Sequence, residues 1–492
     1  MYLSLDVGTT VAKCVLFDQN GKEILVKENA YQLLNAEHGA AEQCPEEIKK
    51  VVFSCLQEVF TSDYKNQIRA ICISTQGGSF LPVRADGTKT HNLITWMDTR
   101  AKDIVKKWEQ EGITKLVRER SGWWVEEGLP LATIAWFKQN MPEEFQATDY
   151  FLSLNDYLAF LLTGKFITNP SCAGEMLLVN SKTGVWDDIL CGLVGIKKDQ
   201  LSTIQPADAI IGSLSEELKS LFGISQQIPV INGGQDHTLE ALAVGLTGKG
   251  KTLLACGTAW VINSVAKDGE LAAIPPNMGA NFHVMPNQWI ISQYIGCFGG
   301  VMEWWIQQMW QSPEKTCSRS EIYERLNKQL LAKAYTTEDL YYFPLSGGRQ
   351  MNISRDGGIF WGSNLHHTRE QFTLAVMEGA AFEVRWALEN LAKHNFHSEE
   401  LWMIGGAARS VIWTQMMADI LGIPIYTSNY SHGPALGAAM IAAVTLGDFV
   451  NYEDSRNVFK ISHTVIAPNA MIHRELSEKF IKFMELSKNL ML

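Results

Sequence analysis

Short apolar runs that end in glycine or a polar turn alternate along this chain with longer segments of helical period. Leu3–Asp6, Ala12–Phe17 and Ile24–Glu28 read as a three-strand meander, followed by strands at Ile68–Ser74 and Gly78–Val83. Cys44–Thr61 and Ala101–Arg118 have helical spacing, as does Asn155–Thr163, where Gly164 is placed to cap the C-terminus. Pro229–Asn232 reads as a buried strand, and Thr238–Val244 begins a helix. A second cycle opens near residue 252 with strands Thr252–Ala255, Trp260–Val265 and Trp289–Gln293. Helices Cys297–Met309 and Thr368–His394, strand Leu401–Ile404 and helix Val411–Leu421 complete it. The pattern predicts an α/β architecture of mixed sheets. The two cycles also open alike, since Leu3–Asp6 runs into Gly8-Thr9-Thr10 and Leu253–Ala255 into Gly257-Thr258. Duplication into two related halves would explain that likeness, and so would chance recurrence of a strand-Gly-Thr-strand pattern.

A length of 492 residues exceeds what one ordinary core organises, so two large domains are expected, 1–245 and 246–492. With 46% hydrophobic and 19% charged residues the chain is globular in composition, which excludes a disordered one. A net charge of −11 supplies no broad basic face, so nucleic acid is not an expected partner. It leaves room for an anionic ligand, because backbone N–H groups bind phosphate without lysines. The nine cysteines stand singly, with no C-x-x-C pair and no zinc-ligand spacing; they read as buried thiols of a reducing cytoplasm. The first residues form a strand pattern rather than a basic-then-apolar signal. The most apolar stretch, Pro434–Val450, is interrupted by Gly437, Gly447 and Asp448, and reads as a buried helix rather than a bilayer span. The expectation is a cytoplasmic, soluble protein with no membrane partner.

One motif misleads. Residues Gly245 to Thr252 satisfy G-x-x-x-x-G-K-[ST], but that loop works only when a strand precedes it and a helix follows. Here a helical pattern leads in and a strand leads out, which makes the segment a turn between halves.

The strongest local signal is Asp6-Val7-Gly8-Thr9-Thr10 at the end of the first strand, with Lys13 in the next. Gly8 lets the chain turn tightly and present N–H groups and hydroxyls to a phosphate, and Asp6 offers hard oxygens to Mg²⁺ through water. An ordinary hairpin is the bland alternative. Asp236 follows Gly233-Gly234-Gln235 at a strand-to-helix turn, where it can reach a substrate or simply cap the helix. In Trp96-Met97-Asp98-Thr99-Arg100 an indole can pack on a sugar's C–H face while a carboxylate accepts its hydroxyls. A core tryptophan beside a surface Asp–Arg pair is the competing account. Trp123-Trp124 lines the same site or fills core.

These segments occur in a telling order. D-x-G-T-T at Asp6–Thr10, W-x-D-x-R at Trp96–Arg100, Asp156-Tyr157 with Leu162-Thr163-Gly164, and Gly257-Thr258 precede Gly405-Gly406-Ala407-Ala408-Arg409-Ser410. Trp413, Gln415, Ala418-Asp419, Gly422-Ile423-Pro424 and Ala435-Leu436-Gly437-Ala438-Ala439 follow. Together they resemble the FGGY family of carbohydrate kinases over most of the chain. The resemblance implies two ribonuclease H-like (actin-type) domains with nucleotide and sugar in the cleft between them, and ATP and Mg²⁺ as cofactors. It implies a sugar or polyol phosphorylated at a hydroxyl, with Asp236 as general base and Gln76, Gly77, Trp96 and Asp98 also contacting the substrate, Arg100 orienting Asp98. On the nucleotide it implies Gly8, Thr9, Thr10, Lys13, Gly257, Thr258, Gly299, Glu303, Gly405, Gly406 and Ser410, and on the metal Asp6.

After Gln76 this chain has Gly77-Gly78-Ser79, where glycerol kinases carry Arg-Glu and xylulokinases Met-His. Some members acting on tetritols or L-pentuloses share Gln-Gly, which directs the expectation to a ketose or polyol. The assembly admitted is a homodimer. An actin- or chaperone-like ATPase and a sugar-responsive regulator without catalysis are the alternatives.

Overall fold

The computed structural model describes residues 1–35, 39–310, 321, 324, 327–328, 337, 339–344, 357–428 and 430–490. Its first meander forms as the apolar runs require. Tyr2–Val7 pairs antiparallel with Val11–Phe17, which pairs antiparallel with Glu23–Ala30. On its other edge Tyr2–Val7 runs parallel to Ala70–Thr75, itself parallel to Pro229–Gln235. Ile210–Ser213 closes that sheet antiparallel to Pro229–Gln235. Ala70–Thr75 is buried along its whole length, as a parallel strand covered on both faces must be. Leu3, Leu5 and Val7 face a core with Ile48, Val52 and Leu56 of helix Pro45–Phe60 and Leu158 of helix Leu154–Thr163. Ser4 points the other way and donates to the Ala435 carbonyl at 2.6 Å, on helix Gly433–Thr445. That helix takes up the apolar stretch from Pro434 to Thr445 and is buried there as expected, while the stretch's end at Val450 is exposed. Its Gly437 lets it cross helix Asp236–Ala243 closely, since a Cβ there would lie 2.1 Å from the Leu239 carbonyl.

The second sheet repeats the order. Gly250–Cys256 pairs antiparallel with Trp260–Lys267, which neighbours Gln288–Gly296. It is parallel to Ser398–Gly405, which is parallel to Ile425–Thr427, with Thr464–Ile466 antiparallel at the edge. A chance Gly-Thr turn does not predict the order of five partner strands, so this topology favours two related halves. They differ at the outer strand. Ile210–Ser213 precedes its partner in the chain, whereas Thr464–Ile466 follows its own.

The chain divides into two compact units. One comprises Met1–Thr247, Gly279–Ile290 and Ser431–Lys460, the other Gly248–Met278, Ile291–Tyr430 and Ile461–Leu492. Two segments of the C-terminal half thus fold with the N-terminal one. The helix expected over Ala101–Arg118 is two, Lys102–Gln110 and Ile113–Ser121, because Gly112 adopts φ 74° between them. The strand expected over Gly78–Val83 is confined to Leu81–Val83, because Gly78 turns the chain at φ 64°. Helix Asp236–Ala243 leads into the false phosphate loop and strand Gly250–Cys256 leads out, the reverse of a working one. Among the described residues no helix is long and apolar enough to cross a membrane.

Candidate active site

Strand Pro229–Gln235 carries the site's central irregularity. Its pairing with Ala70–Thr75 shifts register between Ile231 and Gly234, a bulge that Gly233 enables with φ 68°. A Cβ on Gly233 would lie 1.7 Å from the Ile73 carbonyl, so only glycine fits. The bulge delivers Gln235 and Asp236 to the strand end. Gln235, not Asp236, is the helix N-cap, accepting from the Thr238 N–H at 3.2 Å. The capping alternative for Asp236 therefore falls away. Asp236 Oδ1 accepts from the His237 N–H at 2.7 Å and the Gln235 amide at 3.0 Å, while Oδ2 makes no hydrogen bond among the described residues.

Asp236 opens onto a cavity of about 330 Å³ lined wholly by the first unit. Thr9, Gln76, Gly77 and Trp96 lie on its wall, together with Trp123, Glu126, Glu175, His237 and Asn281. The expected substrate residues Gln76, Gly77, Trp96 and Asp236 are thus brought together from three separate stretches of sequence. They are wired to one another. The Trp96 indole N–H donates to Thr9 Oγ1 at 3.2 Å, and that hydroxyl donates to Gln76 Oε1 at 2.8 Å. The Gln76 amide donates to Gln43 Oε1 at 2.8 Å, and Gln43 returns to the Thr9 carbonyl. Thr9, expected on the phosphate, braces the tryptophan on the cavity wall in the ligand-free chain. Trp96 is 51% exposed, so its face is available to a ligand rather than spent in the core.

Asp98 is not on that wall. It is 1% exposed and accepts from the Ala41 N–H at 3.0 Å and from Arg100, whose guanidinium also reaches Glu42 at 2.7 Å. Its oxygens are committed to this buried ion pair, so it supports the Trp96 loop instead of touching a ligand. Arg100 orients Asp98 as expected and also lies over the Trp136 ring at 4.0 Å.

Several cavity residues gave no sequence signal. Glu175 ends helix Pro170–Glu175, and Asn281 comes from the 279–290 segment, more than a hundred residues away. The Asn281 amide donates to the Ser171 carbonyl at 2.9 Å and to Glu175 Oε1 at 3.4 Å. Burial pushes the Glu175 carboxyl up to about 7, opposed by His237 and reinforced by the charges of Asp236 and Glu126. Burial also takes Glu240, on the same helix as Asp236, to about 7. His237 lines the cavity too, and chiefly the charge of Asp236 raises its pKa. Of the tryptophan pair Trp123 lines the cavity, whereas Trp124 packs under the Arg118 guanidinium at 4.2 Å.

The first Gly-Thr turn adjoins this site. Asp6 accepts from the Ser74 hydroxyl at 2.6 Å and lies opposite Lys13 in the strand register. Burial lifts its carboxyl to about 6; the charge of Asp236 adds to this, while Ser74, Lys13 and His432 oppose it. A half-buried carboxylate that still ionises below neutral pH fits a cation that retains its waters, as Mg²⁺ does. Tyr31 donates to the Gly8 carbonyl and steadies the turn, while Thr10 stays exposed.

The expected nucleotide residues of the second unit divide by what a side chain would meet. At Gly257 and Gly406 an added Cβ finds nothing nearer than 3.6 Å and 3.9 Å, so packing does not demand these glycines. At Gly299 it would lie 2.0 Å from the Gly257 carbonyl, and at Gly405, with φ 95°, 2.6 Å from that of Cys256. Those two are glycine because backbones meet. Gly299 seats helix Phe298–Met309 on the turn, where the Gly300 N–H donates to the Thr258 carbonyl at 3.2 Å and no side chain among the described residues caps the helix. Thr258 is exposed, and Glu303 accepts from Gln307 at 3.3 Å. Ser410 is occupied: it caps helix Val411–Leu421 and donates to Asn327 at 2.9 Å.

The chain matches the N-terminal domain model of the FGGY family of carbohydrate kinases over residues 1–243 and the C-terminal domain model over 256–446. It is 27% identical to the xylulose kinase of Bacillus subtilis over 99% of its own length and 96% of that protein. It is 25% identical to the L-xylulose/3-keto-L-gulonate kinase of Escherichia coli, again over 99% and 96%. The crystal structure of the gluconate kinase from Lactobacillus acidophilus superposes with TM-score 0.88 at 25% identity, covering 99% of this chain and 98% of that one. That of the xylulose kinase from Rhodospirillum rubrum superposes at 0.90, 23% identical, over 99% and 98%. With the two sheet orders, these likenesses give the actin-type, ribonuclease H-like fold.

Proposed function

Because the chain belongs to the FGGY family of carbohydrate kinases, sugar phosphotransferases with ATP as phosphate donor, we propose that its substrate is a ketose or alditol. About four to six carbons suit a cavity of ≈ 330 Å³. The observation that carries this reading is the free Oδ2 of Asp236 in a cavity shared with the exposed Trp96 and with Gln76. A carboxylate so placed accepts the proton of the attacking hydroxyl, and the indole orients the sugar by its C–H face. Trp96 is held by Thr9, and Thr9 by Gln76, so the substrate meets a preorganised wall.

The first unit takes the sugar and the second the nucleotide on this reading. Gly257 and Gly406 leave the backbone open to adenosine and phosphates, and the uncapped start of helix Phe298–Met309 offers N–H groups to phosphate. Asp6 would hold Mg²⁺ through water, and the ion would neutralise charge on the phosphates. Lys13, Thr10, Gly8 and Thr258 complete the phosphate contacts. Exclusion of water from the loaded site protects ATP from hydrolysis.

The test is ADP release from the purified protein with Mg-ATP across tetritols, pentitols, ketopentoses, ketohexoses and glycerol. Strong stimulation by one compound supports the reading. Brisk turnover indifferent to every sugar would instead make the chain an ATPase of the actin or chaperone kind. Tight sugar binding without any turnover would make it a regulator.

A further inference from the structure

Gly77 is explained by its neighbour. A Cβ there would lie 2.5 Å from Glu175 Oε2 and 2.9 Å from Gln235 Cγ. The missing side chain is therefore not empty cavity, since the Glu175 carboxyl occupies its place. Asn281 holds the other oxygen at 3.4 Å, and Gly174 admits Asn281, whose Oδ1 would lie 2.0 Å from a Cβ at that position. Two glycines on two elements thus make room for one carboxyl and its holder on the cavity wall.

The rest of the wall decides what such a group can recognise. Its ionisable lining is Glu126, Glu175, Asp236 and His237, with no lysine or arginine among the described lining residues. His237 is already flanked by the charges of Asp236, Glu240 and Glu175. A substrate bearing its own carboxylate would meet three acidic side chains and no free cation, a like-charge juxtaposition that costs binding. A hydroxyl, by contrast, can donate to an ionised Glu175 or accept from a protonated one.

Building on the sugar-kinase reading above, we infer that Glu175, seated in the space that Gly77 vacates, is a specificity-determining residue of this cavity. It bonds a hydroxyl of a neutral ketose or alditol and bars aldonates. This separates the chain's substrate class from that named for its gluconate-kinase relatives.

The experiment compares ADP release with alditols and ketoses against release with five- and six-carbon aldonates, using the full chain. Wild type should favour its best neutral substrate over its best aldonate by roughly 100-fold in kcat/KM. Glu175→Gln, which keeps the shape, should raise KM for the neutral substrate about 10-fold, with a smaller change in kcat, and narrow the neutral-to-aldonate ratio about as much. Gly77→Ala should reproduce the KM rise by displacing the carboxyl. A wild type that prefers an aldonate overturns the inference and leaves the kinase reading standing. So does an unchanged KM and ratio in both variants. Absence of turnover with every compound overturns the kinase reading and this inference with it.

Discussion

The two Gly-Thr turns share a backbone and differ in nearly everything attached to it. In the first unit the Gln76 N–H donates to the Val7 carbonyl at 2.9 Å; in the second the Gly406 N–H donates to that of Cys256 at 3.0 Å. These bonds make the two turns equivalent position by position. Where the first has Asp6 paired with Lys13 and Ser74, the second has Ala255 paired with Val261 and Ile404. Where the first has Gln76 bonded to Thr9 and Gln43, the second has the bare Gly406. One copy of the fold carries carboxylates, an amide network and an aromatic wall. The other carries exposed backbone. The same strand ends therefore suit two tasks: the first copy can move a proton and discriminate hydroxyls, and the second can admit a large flat ligand closely.

The sharpest way to break this comparison is Asp236→Asn, which keeps the shape and removes the proposed base. It should lower kcat about 10²–10⁴-fold in the ADP-release assay, and a near-normal kcat would take Asp236 out of that role. On the other copy Gly406→Val, at an open position, should raise KM for ATP about tenfold, as a lost contact of ~1.4 kcal/mol does. Its melting temperature should stay close to wild type, and an unchanged KM would move the nucleotide elsewhere. Gly299→Ala should do the reverse. Its Cβ meets the Gly257 carbonyl at 2.0 Å, so the fold should lose about 1–3 kcal/mol, read as a lowered midpoint in urea. The smallest effect concerns pH. Asp6, Glu175 and Glu240 have folded-state values of about 6, 7 and 7, above those of ordinary carboxylates. The folded state binds more protons than the unfolded chain between about pH 4 and 7. The stability these protons supply is full below that window and is lost as pH rises through it. Ligand-free protein should therefore melt higher near pH 5.5 than near pH 8 as far as these groups are concerned. Glu240→Gln should flatten that slope, and an unaltered slope would assign it to other groups.

Much of this was legible from local pattern. Strand and helix positions followed from periodicity, because burial on a sheet imposes a period of two and on a helix one of 3.6. The errors lie at glycines: Gly112 splits a helix, and Gly78 shortens a strand, each by a positive φ that hydrophobicity does not encode. At the site, Asp236, Trp96, Gln76 and Gly77 were identifiable because each sits in a compact motif. Glu175 and Asn281 were not, because a lone Glu at the end of a short helix and an Asn from the far half of the chain carry no local signature. Asp98 shows the converse. Its motif is clear, yet the structure spends its carboxylate on Arg100 and the Ala41 N–H.

What the sequence determined by itself was the family, the α/β class with most strand and helix positions, and the residue types that the chemistry requires, since these follow from short-range pattern and ordered motifs. Tertiary structure alone decided which of those residues share a wall, that Gln235 rather than Asp236 caps the helix, and that Glu175 fills the space beside Gly77. The physical reason is distance along the chain. A hydrogen bond or a steric gap between residues 77 and 175 exists only once folding has brought them together.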